Sequence, residues 1–292
     1  MELTKKIPIV ILHRNDLINL EIMLRSIKEN TKWQYDLFLV DNNSSYGKDK
    51  LLELTLQYNV KAIFSDKNDW LLGFNRVLKH KDWQDEYPYY IFSDCDIEVP
   101  ALGENCWLTR MVAEMDQNAC IGKLGISLST KGIDQGEIFE KVITQEAIFD
   151  KQPKIGNNFI APVDTTLAIY RKDFFVFKKF KFSVGHAALA RPYYYTCRTS
   201  REIECRHLGW YNRGITNHTD DQLPEKIKCF AKYAAYIEPA VLAKADLSLR
   251  LYFKVVKPLA KIKWGILVYF QVLMYYIKNF PRNINKLQNQ LR

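Results

Sequence analysis

Several absences narrow the function of this 292-residue sequence. Nowhere does it reach the ~20 consecutive apolar residues that a membrane-spanning helix needs. The first apolar run, Ile7 to Leu12, is too short for a secretory signal and suits a buried strand. None of the six cysteines forms a C-x-x-C pair, so they read as free thiols in a reducing compartment, and the chain is expected to stay in the cytoplasm. No glycine follows the first run, which turns through His13-Arg14-Asn15-Asp16. That excludes the G-x-G turn of nicotinamide and SAM enzymes and disfavours the Gly-rich loop of a nucleotidyltransferase. No repeat or low-complexity segment is visible. The last absence is of acid: Leu247 to Arg292 holds nine Lys or Arg and no Asp or Glu.

That segment carries the whole excess charge. The chain is +9, with 42 basic and 33 acidic residues, so the 33 basic residues outside the tail cancel the 33 acids. An evenly basic body would suggest nucleic acid, and none is expected here. A basic tail mixed with aromatic and aliphatic residues suggests an anionic membrane surface instead. Its apolar block, Trp264–Ile277, is too short to span but can lie in the interface with lysines reaching outward. The plainer alternative is a helical hairpin packed on the body, or on a second copy in a homo-oligomer.

What is present is a hydrophobic content of 48%, enough for a sizeable core. Strands are expected at Ile7–Leu12, Asp36–Val40, Val60–Phe64 and Tyr89–Phe92, with helices at Leu17–Glu29, Lys50–Tyr58 and Trp70–His80 between them. This alternation means an α/β fold with a mostly parallel sheet flanked by helices, whose ligands bind beyond the carboxyl ends of the strands. Further on, Leu102–Met115 reads as a helix, and Gly122–Ser127 and Phe159–Tyr170 as strands. Residues 178–224 have the look of a substrate-binding loop region. Residues 225–292 are helical in pattern, interrupted by Pro239 and Pro258. The division expected is a folded body over 1–224, in two halves (1–100 and 101–224), and a helical basic extension over 225–292. On that division, a chain ending at Asp246 remains a soluble, folded body.

The chemistry-bearing residues fall at strand ends. Asp94-Cys95-Asp96 follows the fourth strand, and two carboxylates at i and i+2 can face one hard cation, Mn²⁺ or Mg²⁺, that bridges a nucleotide diphosphate. A solvated turn or helix cap is the plainer role. Asp41, in Asp41-Asn42-Asn43-Ser44-Ser45, can accept from a base N–H, though Asp, Asn and Ser also favour caps. Asn68 and Asn75 flank the start of a helix, where phosphate is favoured. Asp164 leads into an apolar run and can orient a sugar or deprotonate an acceptor hydroxyl. His207, beside Trp210 and Tyr211, is a third metal ligand, a base or a packed side chain.

The ordered series ILHRND, VDNNSS, N-x4-GFN, FSDCD, GKLGIS, DTTLAIYR and CRHLGWY resembles the family 2 glycosyltransferases and their relatives on the GT-A fold, over residues 7–212. The last three pieces are similar to a bacterial subgroup with DTT-x-A-x-YR and RHL-x-WY. The resemblance implies that His13, Arg14 and Asp41 hold the nucleotide base, that Asp94 and Asp96 ligate the metal, and that His207 adds a late ligand. It further implies transfer from a nucleotide-diphosphate sugar to a glycan or lipid-linked acceptor, with inversion, in bacterial cell-surface polysaccharide synthesis at the inner face of the cell membrane. The family's Glu-Asp pair, whose Asp is the base, is missing after Asp96. Asp164 is the first alternative for that role, with Asp220 and Asp221 behind it. A nucleotidyltransferase acting on sugar phosphates and a non-catalytic glycan-binding protein are the competing readings; intact Asp94 and Asp96 disfavour the second.

Overall fold

Ile7–His13 is apolar at all positions but its last because both of its faces are covered. Ile7, Ile9 and Ile11 enter one core cluster, with Leu20, Met23 and Leu24 of a helix; Val10 and Leu12 enter another, with Phe38, Phe74, Tyr90 and Phe92. The computed structural model describes residues 6–83, 87–133, 136–163, 166–177, 181–182, 195–211, 223–233 and 237–278.

The strands are β1 (Ile7–His13), β2 (Tyr35–Asp41), β3 (Lys61–Phe64), β4 (Tyr89–Asp94), β5 (Ile97–Glu98), β6 (Ile121–Gly125), β7 (Ser127–Leu128), β8 (Lys154–Ile155), β9 (Asn158–Ile160), β10 (Ala168–Arg171), β11 (Val176–Phe177), β12 (Lys181–Phe182), β13 (Tyr195–Arg198) and β14 (Glu204–His207). Nine of them form one sheet in the order β3-β2-β1-β4-β10-β6-β13-β9-β8. The first four are mutually parallel; β10 then runs antiparallel to both β4 and β6. The chain order reverses between β1 and β4, which is where an open α/β sheet leaves a crevice at its carboxyl edge. β14 pairs with both β5 and β7, stitching the two halves of the chain together in a small second sheet.

The helices are α1 (Leu17–Asn30), α2 (Lys48–Gln57), α3 (Phe74–Val77), α4 (Trp107–Gln117), α5 (Glu137–Asp150), α6 (Lys172–Phe175), α7 (Leu208–Tyr211), α8 (Leu223–Tyr233), α9 (Pro239–Ala243), α10 (Leu247–Leu251) and α11 (Lys257–Lys278). Four expectations are corrected. The helix expected over Trp70–His80 is a 3-10 turn, Trp70–Gly73, followed by the single turn α3. Trp70 enters it at φ +53°, a conformation a bulky residue rarely holds, so no regular helix can start there. The strand expected over Phe159–Tyr170 is two strands, β9 and β10; Pro162 between them has no N–H for a ladder. The helix expected from Leu102 begins at Trp107, after a turn in which Gly103 takes φ +72°. Pro258 does not interrupt its helix. It lies in the first turn of α11, and the wider π-turn Tyr252–Val256 just upstream absorbs the missing N–H.

The C-terminal elements are part of the core. Val272 and Tyr275 of α11 join Tyr170, Phe174 and Phe175 in the second cluster. Among the described residues no helix is long and apolar enough to cross a membrane.

Candidate functional site

Parallel pairing brings the strand ends into line: His13 stands beside Asp41, and Leu12 beside Asp94. His13 is almost fully buried and both its ring nitrogens are engaged by the protein. Nε2 accepts the Asp16 N–H at 3.2 Å, so the ring proton sits on Nδ1 and is donated to Asp41 Oδ1 at 2.9 Å. The Ser44 N–H donates to Asp41 Oδ2 at 3.0 Å, and the Ser44 hydroxyl to Asp41 Oδ1. Burial by itself would raise the Asp41 carboxyl, but the hydrogen bonds from His13 and Ser44 outweigh it and hold the group below its ordinary value. His13 and Asp41, both expected to meet the base, are thus a buried post. The post fixes the turn 42–45 against the N-cap of α1, where the Asn19 N–H donates to Asp16 at 3.3 Å.

The side chains around that post line the crevice. Arg14 donates to the Asn42 carbonyl at 2.8 Å and pairs with Glu225 of α8 at 2.7 Å. Asn68 accepts the Trp70 N–H at 3.1 Å and donates to Glu225 at 3.4 Å. Asn42 donates to the Trp70 carbonyl at 3.1 Å, while its buried Oδ1 has no hydrogen-bond partner among the described residues. Gly73 lies against that oxygen: a Cβ there would come within 2.9 Å of it. Asn75 is half-buried on α3. Glu225, on which Arg14 and Asn68 converge, had no signal in the sequence, because it comes from the segment expected to be a separate extension.

Cys95, in the bend between β4 and β5, is buried in the first core cluster, while its neighbours Asp94 and Asp96 are each half-buried. β14 then carries His207 to this edge, opposite Ile97. His207 Nδ1 lies 3.5 Å from Asp96 Oδ2; it is buried and makes no hydrogen bond among the described residues. The imidazole stacks on Trp210, centroids 5.0 Å apart and the ring planes nearly parallel. Gly209 keeps the space beside them open, since a Cβ would lie 3.0 Å from both Asp96 Oδ2 and His207 Cε1. The fold therefore brings together Asp96 and His207, which the sequence offered as two of three metal ligands. Among the described residues no three His, Cys, Asp or Glu side chains close into a ready-made metal cage.

Asp164, Asp220 and Asp221 lie outside the described residues. The segment that leads into Asp164 is held firmly. Lys123, fully buried on β6, donates to the Val163 carbonyl at 2.6 Å, and Arg198 donates to the Pro162 carbonyl at 2.9 Å. Arg198 is in turn paired at 3.0 Å with the buried Glu146 of α5. Lys123 was legible only as a charge inside the apolar stretch GKLGIS.

No protein-family model and no curated protein matches the sequence. Solved structures do resemble the fold. A mannosyltransferase from Pyrobaculum calidifontis, in complex with GDP-Man and Mn²⁺, superposes with a TM-score of 0.51 at 11% identity, over 96% of this chain and 77% of that one. TarS residues 1–349 from S. aureus, in complex with UDP, superposes with a TM-score of 0.44 at 14% identity, over 94% of this chain and 92% of that one. The first likeness establishes the fold, the GT-A arrangement, and nothing finer.

Proposed function

We propose that this chain is a glycosyltransferase that takes a sugar from a nucleotide diphosphate and uses a divalent cation, Mn²⁺ or Mg²⁺, in doing so. The observation that carries the reading is the meeting of Asp96 and His207, from opposite halves of the chain, beside Asp94 at the carboxyl edge of a GT-A sheet. The donor set fits such a cation: Mn²⁺ and Mg²⁺ are held by one or two protein carboxylates and complete their shell with water and substrate phosphates, so a closed three-residue cage is not required. Asp94, Asp96 and His207 would hold it, and it would supply counter-charge to the departing diphosphate. Arg14 and Asn68 would meet the nucleotide, on the loop that the buried Asn42 ties to the Trp70 carbonyl. His13 and Asp41 would position that loop from beneath. Asn75 would lie on the phosphate side.

The segment behind Asp164 is fixed by Lys123 and Arg198, which suits a base whose carboxylate must stay in place. In that role Asp164 removes the proton of an acceptor hydroxyl, whose oxygen attacks the anomeric carbon as the bond to the diphosphate breaks, with inversion. Asp221, with Asp220, is the alternative base. The family 2 likeness of the DTTLAIYR and CRHLGWY segments supports an acceptor that is a glycan or lipid-linked saccharide of a bacterial surface polymer, met at the inner face of the cell membrane.

The test measures metal and turnover separately. UDP-, GDP-, CMP- and dTDP-sugars are screened by thermal shift with and without Mn²⁺; the true donor stabilises the protein by mass action. Asp94→Ala and Asp96→Ala should then abolish donor turnover while leaving the fold intact, and His207→Ala should weaken Mn²⁺ affinity measured by calorimetry. Full turnover of the two Asp variants in EDTA would overturn the reading.

A further inference from the structure

We propose that the outer face of α11 is a docking surface for an anionic lipid bilayer, and that the helix is bolted to the catalytic body so that it acts as a platform, not a tether. This deepens the membrane part of the reading above and does not depend on the transfer chemistry.

The helix has two unlike sides. On one, Val272 and Tyr275 are buried, the Tyr275 hydroxyl donates to the Ala119 carbonyl at 3.3 Å, and the ring packs on Phe174 with centroids 4.2 Å apart. At its start the fully buried Lys257 donates to the Ala231 carbonyl of α8 at 2.9 Å, and at its end Lys278 pairs with Asp173 at 3.2 Å. Both ends are thus held. On the other side Leu259, Ile262, Ile266, Phe270, Leu273 and Ile277 are each half exposed or more. They recur every three or four residues, the spacing of one helical face. Leu247, Leu251 and Val255 carry the exposed apolar run back through α10 and the π-turn.

Charge selects the occupant. Between Leu247 and Lys278 the chain has no acid, and its exposed cations, leaving aside the Asp173-paired Lys278, are Arg250, Lys254, Lys261 and Lys263. A second copy docking through this face by a two-fold axis would set these cations against their own images with nothing on the helix to offset them. An anionic bilayer offsets each of them and takes the apolar stripe at the same time. Because no described helix is able to cross, the helix lies along the surface. With both ends held to the body, the crevice is fixed at a set height above the lipid, so a productive acceptor must present its sugar close to the bilayer.

Flotation of the full-length chain with phosphatidylcholine vesicles, with and without phosphatidylglycerol, tests this. Binding should require phosphatidylglycerol and weaken as salt rises. The double substitution Ile266→Glu/Phe270→Glu should lower binding more than tenfold, and Lys261→Gln and Lys263→Gln about fivefold each. Melting temperature and metal-dependent donor hydrolysis should stay at parent values in all of them, since none of these side chains touches the crevice or the core. Absence of flotation at low salt overturns the proposal, as does flotation that survives Ile266→Glu/Phe270→Glu, or a concentration-dependent dimer in sedimentation that the same pair abolishes. In each of those cases intact donor hydrolysis leaves the transferase reading standing.

Discussion

At the residue scale, side chains whose roles depend on a distant partner were the least legible. Asp41 reads in sequence as an acceptor for a base N–H or as a turn and cap acid, because Asp-Asn-Asn-Ser is also turn chemistry. Its partner His13 is 28 residues away, and only parallel pairing makes the two neighbours. The consequence is a stability role. Asp41→Asn sets an amide where the His13 and Ser44 donors need an acceptor, and should cost about 1–3 kcal/mol. The Asp41 carboxyl is held below its ordinary value, so its contribution is full above that value and fades as pH falls through the lowered one. The gap in unfolding free energy between parent and variant should therefore be constant above about pH 5 and shrink toward pH 2, measured by urea denaturation. A gap unchanged down to pH 2 would mean that the carboxylate charge does not matter. Asp94 and Asp96 were legible because the strand before them is apolar and their i, i+2 spacing is local. Which of its three readings His207 takes was open in the sequence, since its contact with Asp96 requires β5 and β14 to pair. Asp164 and His207 are separable by the same kind of measurement. Asp164→Asn should lower turnover ~10²-fold or more with Mn²⁺ affinity unchanged if it is the base. His207→Ala should do the opposite to affinity, and a near-normal rate for Asp164→Asn would pass the role to Asp220 or Asp221.

At the scale of elements, β1 to β4 and helices α1 and α2 follow the apolar periodicity closely, since each has one unambiguous repeat. α5 went unseen for a physical reason. Its inward side carries Val142, Glu146 and Phe149, so an acid stands in the middle of the buried stripe and spoils the pattern. Glu146 is accommodated because Arg198 of β13 and Arg201 just after it reach the helix, at 3.0 and 3.2 Å. Burial raises the Glu146 carboxyl above its usual value, against the pull of the two guanidiniums. Arg198→Met should destabilise the protein by about 3 kcal/mol, because it leaves the buried Glu146 only the partly exposed Arg201, while the double variant Arg198→Met/Glu146→Leu should recover most of the loss. The deficit of the single variant should shrink as pH falls, since an acid already raised and now short of a partner protonates more easily. A double variant as unstable as the single one would show that Arg198 acts through its hold on the Pro162 carbonyl instead.

For the whole molecule, the segregation of charge was fully legible, being a matter of counting, but the place of the charged segment in the fold was not. A basic tail with an apolar block looks like an appendage, and cutting after Asp246 looks harmless. α11 instead closes the second face of the sheet with Val272 and Tyr275, against Phe174 and Phe175. Burying two such side chains contributes about 3–6 kcal/mol together, a large share of the 5–15 kcal/mol by which a folded domain is stable. The exposed pair Lys278–Asp173 adds little to this. Truncation after Asp246 should therefore lower the melting temperature by about 10 °C or more, or leave the protein insoluble, where Ile266→Glu on the outer face of the same helix should leave it unchanged. Calorimetry of the two side by side decides the matter. A truncated protein that melts with the parent would make the tail a free arm, and would release the crevice from any fixed height above a membrane. A truncated protein that collapses while the outer-face variant holds would show one helix with two duties, its inner side belonging to the catalytic core and its outer side left for a partner.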